Sequence, residues 1–134
     1  MERNEKTRAL LAAFGCALAY LLAGKALTAV LPQVPEEAAR MWAFVHRCAA
    51  APIVEELVFR GAIQQLARPL GERQAVALQA VLFAVQHRGP AGMAYALVCG
   101  LVLGTIRSRT GSVWPGMLLH LFSYTHLTLP TTSR

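Results

Sequence analysis

Residues 9–31 read ALLAAFGCALAYLLAGKALTAVL, and this run decides the fold class. It is almost wholly apolar. Its one charge, Lys25, stands close enough to the far end for the side chain to reach the interface. As a helix, 23 residues span about 34 Å, enough to cross a hydrocarbon core of about 30 Å. Arg3, Lys6 and Arg8 precede the run. A cleaved signal peptide begins in the same way, but this run is long for one and no clean A-x-A site follows. The reading is a retained membrane helix.

Working outward, Pro32 and Pro35 end this segment, and Glu36, Glu37 and Arg40 suit a polar turn and a new helix start. Met41 to Leu66 is expected to be helical, with an interruption at Pro52. It is apolar yet carries His46, Arg47, Glu55, Glu56 and Arg60, so it cannot face lipid all round. Arg68 to Arg73 reads as a turn. Ala75 to His87 reads as a short helix stopped by Gly89-Pro90. Gly92 to Ile106 is apolar and glycine-containing, as packed membrane helices often are. Arg107, Arg109 and Gly111 close it. Val113-Trp114-Pro115-Gly116 opens a last helix through His120, with Trp114 placed as an interfacial anchor. The expected fold is all-α, a multi-helix integral membrane bundle. Residues 1–35 would be the polar start and first transmembrane helix, 36–122 the helical core, and 123–134 a tail of another kind.

The bulk numbers agree. The chain has 134 residues, of which 55% are hydrophobic and 15% charged. Ordinary soluble domains are about a quarter charged. A net charge of +6 raises nucleic acid as a partner, but the basic residues sit at the ends of apolar segments. They form no aromatic-interleaved stripe, so nucleic-acid binding is excluded as a reading and a lipid bilayer is expected instead. Lys and Arg alternate in number along the connections in a way that puts the N-terminus in the cytoplasm. Cys16, Cys48 and Cys99 form no CxxC pair and no metal spacing, and read as small apolar packers.

Against this background five side chains are out of place. A carboxylate inside an apolar helix costs several kcal/mol unless paired. Glu56 and Arg60 are spaced i, i+4 in the favourable order and form a clamp. Glu55 points about 100° away and gains nothing from it. It needs another partner, or chemistry that uses an unpaired carboxylate, and a general base is such a group. His87 and His120 each lie on a separate apolar segment. Singly, each reads as a packed histidine bonded to a carbonyl. Together, polar groups on different helices are how a site is built in a bundle core. A carboxylate and two imidazoles suit two chemistries. They could hold Zn²⁺ or another divalent metal through Glu55, His87 and His120, with a bound water as nucleophile. Without a metal, Glu55 and His87 would activate water and His120 would stabilise the oxyanion. No HExxH is present.

Glu55-Glu56-Leu57-Val58-Phe59-Arg60, an EExxxR pattern, and Phe83-Ala84-Val85-Gln86-His87, an FxxxH pattern, come in this order, followed by His120. In this the chain resembles the CAAX protease and bacteriocin-processing family of intramembrane proteases, also called the Abi family, over about residues 50–122. The resemblance implies a membrane endopeptidase, often described as a metalloprotease, acting on a membrane-associated peptide or protein. It implies that Glu55 is the catalytic carboxylate, that His87 helps to activate water, and that His120 belongs to the oxyanion site. Glu56 and Arg60 would support them. The expected setting is the bacterial cytoplasmic membrane. The alternative is a non-catalytic immunity or scaffold protein of the same family.

The third motif departs from the family pattern, HxxxN or HxxxD, because Tyr124 stands where Asn or Asp is expected. The tail offers an explanation. Residues 125–134 hold four Thr, as many as the preceding 124 residues together. The tail resembles translated sequencing-adapter sequence, so residues 123–134 are expected to be non-native, with the genuine protein continuing past Phe122. His126 would then be accidental. A missing oxyanion amide costs about 10²- to 10³-fold in rate, so this chain is expected to be far less active than its full-length parent.

Overall fold

The computed structural model describes residues 2–30 and 35–128. Every regular element among these is helical: α1 (Glu2–Val30), α2 (residues 36–66), α3 (Glu72–Ala84), α4 (Gly89–Thr110) and α5 (Trp114–Thr128), with a 3₁₀ turn at Arg68–Leu70. The all-α membrane bundle expected from the sequence is what the chain forms. The Pro32 break, the side chains of Arg47, Tyr124 and His126, and all of residues 129–134 lie outside what is described.

Two helices are long and apolar enough to cross a membrane, α1 and α4. Their 29 and 22 residues give lengths of about 43 and 33 Å. On both, burial follows the smallness of the side chain. Ala9, Ala13 and Ala17 form the buried face of α1, while Leu10, Leu11, Phe14, Leu18 and Leu22 are exposed. On α4, Ala96, Gly100 and Gly104 are buried with one large residue, Leu103, and Val98, Leu101 and Val102 are exposed. Water drives large apolar groups inward. Lipid does not, so small residues take the contacts where backbones approach and large ones face the tails.

The α3–α4 packing is the most extensive in the molecule. A Cβ on Gly100 would sit 2.9 Å from the Ala80 Cα, so this crossing tolerates no side chain there. Two buried amides add directional bonds to the same helix. Gln79 Nε2 donates to the Gly100 carbonyl at 2.7 Å, and Gln64 Nε2 donates to the Gly104 carbonyl at 2.9 Å. Bonds of this kind, satisfied within the bundle, replace the hydration that lipid cannot offer.

Three expectations need correction. The helix at Met41 to Leu66 starts earlier, at Glu36, and does not break at Pro52. The chain widens instead. His46–Ala50 and Glu56–Ile63 are π-helical, with the Ala51 N–H bonded to the His46 carbonyl and the Gln64 N–H to the Phe59 carbonyl, five residues back. The wide turn before Pro52 makes room for its ring and absorbs the missing N–H, so the helix continues. Gly89-Pro90, read as a stop, opens α4 instead, because proline suits a helix's first turn. His87 stands past the end of α3, in the turn before α4.

Candidate active site

The centre of the bundle is polar. Glu56 and Arg60 are fully buried on α2, with Arg60 Nη1 3.2 Å from Glu56 Oε1. Helical spacing of four places them on one face, as expected. The second partner of Glu56 comes from α5. His120 Nδ1 lies 3.0 Å from the same Glu56 Oε1, and its other nitrogen, Nε2, lies 3.4 Å from Glu55 Oε2. One imidazole thus spans two adjacent carboxylates. Glu55, without a partner on its own helix, finds one here.

Gly116 makes this approach possible. It stands one turn before His120 on α5, and a Cβ there would lie 3.2 Å from Glu56 Oε2. Any side chain would crowd the carboxylate or push α5 outward. Nothing in the spacing of the motifs marked Gly116, although its position four residues before a polar anomaly puts both on one helix face.

Phe83 is the hub of the apolar side. Its ring carries the Arg60 guanidinium at 4.4 Å from its centroid. The rings of Phe59, His87 and His120 stand edge-on to it at centroid distances of 5.1, 4.7 and 6.0 Å. Cation–π and edge-to-face contacts of this kind hold charged and polar groups without using up their hydrogen-bonding atoms.

His87 Nδ1 lies 2.9 Å from the Phe83 carbonyl. A carbonyl only accepts, so Nδ1 carries a proton, and in the neutral tautomer Nε2 then keeps its lone pair. The same bond caps one of the open carbonyls at the end of α3. His87, His120 and Arg60 all act electrostatically on the Glu55 carboxylate. The structure therefore brings together all five residues singled out from the sequence.

A cavity of about 430 Å³ opens beside this group. His87 and His120 face it together with Tyr95, Cys99, Leu103 and Leu119. It is largely apolar, with a few polar atoms at one place, as ligand pockets commonly are. A larger cavity of about 700 Å³ lies between α1 and α2, near Lys25, Trp42 and His46, and touches none of the five residues.

Among the described residues no three His, Cys or Glu side chains are gathered as metal ligands. His120 Nε2 and Glu55 Oε2 lie 3.4 Å apart, and among the described residues no third donor is gathered beside them.

A family model described as "Type II CAAX prenyl endopeptidase Rce1-like" matches residues 37–125, about two-thirds of the chain. The chain belongs to the Rce1-like family. Neither the curated proteins nor the solved structures gave a match. The Rce1-like span takes in α2, α3, α4 and all five site residues, and leaves α1 outside. Rce1-like proteins are membrane-embedded proteases, and this chain is an integral membrane protein of that family with α1 and α4 as its candidate spans.

Proposed function

We propose that this protein is an intramembrane endopeptidase that hydrolyses a peptide bond of a membrane-associated substrate with a water activated by Glu55 and His87. The observation that carries this reading is the buried group on α2 and α5, two carboxylates spanned by His120, which itself faces an apolar cavity together with His87. A structural clamp would need Glu56 and Arg60 only. Glu55 and His87 add nothing to that clamp.

In this reading Glu55 takes a proton from water, with the His87 Nε2 lone pair orienting the other hydrogen. The water oxygen attacks the scissile carbonyl carbon. Negative charge develops on the carbonyl oxygen beside His120, whose Nε2 is held to Glu55 only at 3.4 Å, longer than a hydrogen bond, and is the ring edge left for it. The C–N bond then breaks, and the proton held by Glu55 passes to the leaving amine. Glu56 and Arg60 hold His120 and do not touch substrate. Each step uses this chain's own side chains. The metal-bound alternative would require His87 to join Glu55 and His120 as a third ligand.

The test is cleavage of prenylated CAAX peptides and of a membrane-peptide library by the detergent-purified protein. Glu55→Ala and His87→Ala are compared with wild type, with and without chelator. We expect each variant to lose at least about 10²-fold in rate, the usual contribution of a positioned acid–base group, while staying folded. Chelator insensitivity would support the metal-free route. Undiminished cleavage by Glu55→Ala would overturn the reading.

A further inference from the structure

A second polar cavity, of about 260 Å³, lies where the end of α2, the turn at Arg68–Leu70, the start of α3 and the end of α4 meet. It has the volume of several waters at about 30 Å³ each, so a tetrahedral oxyanion fits. The residues that matter in its wall are Arg60, Gln64, Arg68, Glu72, Arg107 and Ser108.

The charges do not balance. Arg60 is balanced by Glu56, but Arg68 and Arg107 share one carboxylate, Glu72. Glu72 is already occupied, accepting from Ser108 Oγ at 2.5 Å and facing Arg68 Nε at 3.8 Å. The donors are also unsatisfied. Arg60 is fully buried, yet none of its three nitrogens has a hydrogen-bond partner, since its contact with Glu56 is an ion pair without hydrogen-bond geometry. Arg107 Nε is buried and unpartnered as well. A buried N–H without a partner is expensive, and a charged one more so. A cavity walled by such donors, with one cation in excess, suits an anion that accepts from several at once. Phosphate oxygens do this, and arginine's fork matches them.

The position agrees. α4 is a candidate span, and Arg107 and Ser108 lie in its last turn. The end of a spanning helix stands at the depth of the lipid headgroups, where basic pockets between helices hold anionic lipids.

We propose that this cavity is a phosphate-binding site, filled by the phosphate of an anionic phospholipid headgroup or by free phosphate. It is a second site, beyond the peptide-cleaving centre, and touches that centre only through Arg60.

The test measures binding in nanodiscs and in detergent, by native mass spectrometry and thermal shift. The probes are phosphatidylglycerol, phosphatidylcholine and inorganic phosphate. Arg68→Gln/Arg107→Gln removes two of the cations. Arg109→Gln is the control, an exposed cation at the same helix end that is outside the cavity wall. We expect bound phosphatidylglycerol and a raised Tm in wild type, roughly tenfold or greater loss of affinity in the double variant, and a change within about twofold in the control. Stabilisation by inorganic phosphate alone, lost in the double variant, would support the site and name free phosphate as its source. Should the double variant not fold, Arg107→Gln alone carries the comparison. Equal affinity in wild type and the Arg107 variants, or no binding of any probe, would overturn the proposal.

Discussion

At the scale of single residues, the site is a set of charges that lipid would not tolerate. Glu55, His87 and His120 were visible in the sequence for that reason. Each is polar within an apolar stretch, and only three-dimensional convergence makes them affordable. The pairing itself was not visible. The i, i+4 rule finds Arg60 for Glu56, but no spacing rule links Glu56 to a histidine 64 positions away. The buried pair gives a sharp expectation. Arg60→Ala leaves Glu56 buried without its cation and should cost about 3–5 kcal/mol, read as loss of folded protein in a denaturation series. Arg60→Met fills the volume but leaves the same charge, so it should rescue little. Glu55→Gln should behave oppositely. It removes a charge that His120 approaches only to 3.4 Å, so Tm should hold within a few degrees while cleavage is lost. A collapse of both together would show Glu55 to be structural.

At the scale of elements, glycine and proline decide where helices go. The small-residue face of α4 was legible as glycine in an apolar run. That Gly100 meets Ala80 was not, because periodicity names a face and not its partner. Gly100→Val should force α3 and α4 apart, at about 1–3 kcal/mol or more, since the contact is with backbone. A Tm unchanged by it would show that the two helices slide freely. Pro52 was misread as a break because the rule against internal proline assumes regular α geometry. Here the widened turns on either side of residues 51–55 take up the strain, and they set the angle at which Glu55 leaves the helix. Pro52→Ala lets the first of these relax toward an α-helix and should swing Glu55 off His120. Turnover should fall by about tenfold or more with little change in Tm. Unchanged turnover would show that the proline only fits the helix and does not aim the residue.

At the scale of the whole molecule, α1 and α4 turn large apolar side chains outward. The first span was plain from its length. α4 was not, because the sequence reading stopped it at Gly92 and Ile106, short of the turns that give it spanning length. With both helices presenting leucine, valine and phenylalanine outward, the protein should remain in the membrane fraction through alkaline carbonate washing. Release into the supernatant would mean that this surface is covered by protein rather than lipid.

The double contact of His120 has a consequence for any genetic dissection of the centre. A ring that faces a carboxylate at each nitrogen should reorient toward one when the other is lost. Penalties at Glu55, Glu56 and His120 should therefore overlap. In a double-mutant cycle, Glu56→Gln combined with His120→Ala should cost little more turnover than the worse of the two alone. The three side chains behave as one heritable unit. A lineage that loses one of them has lost the function of all three, although Glu56 stays held by its pairing with buried Arg60.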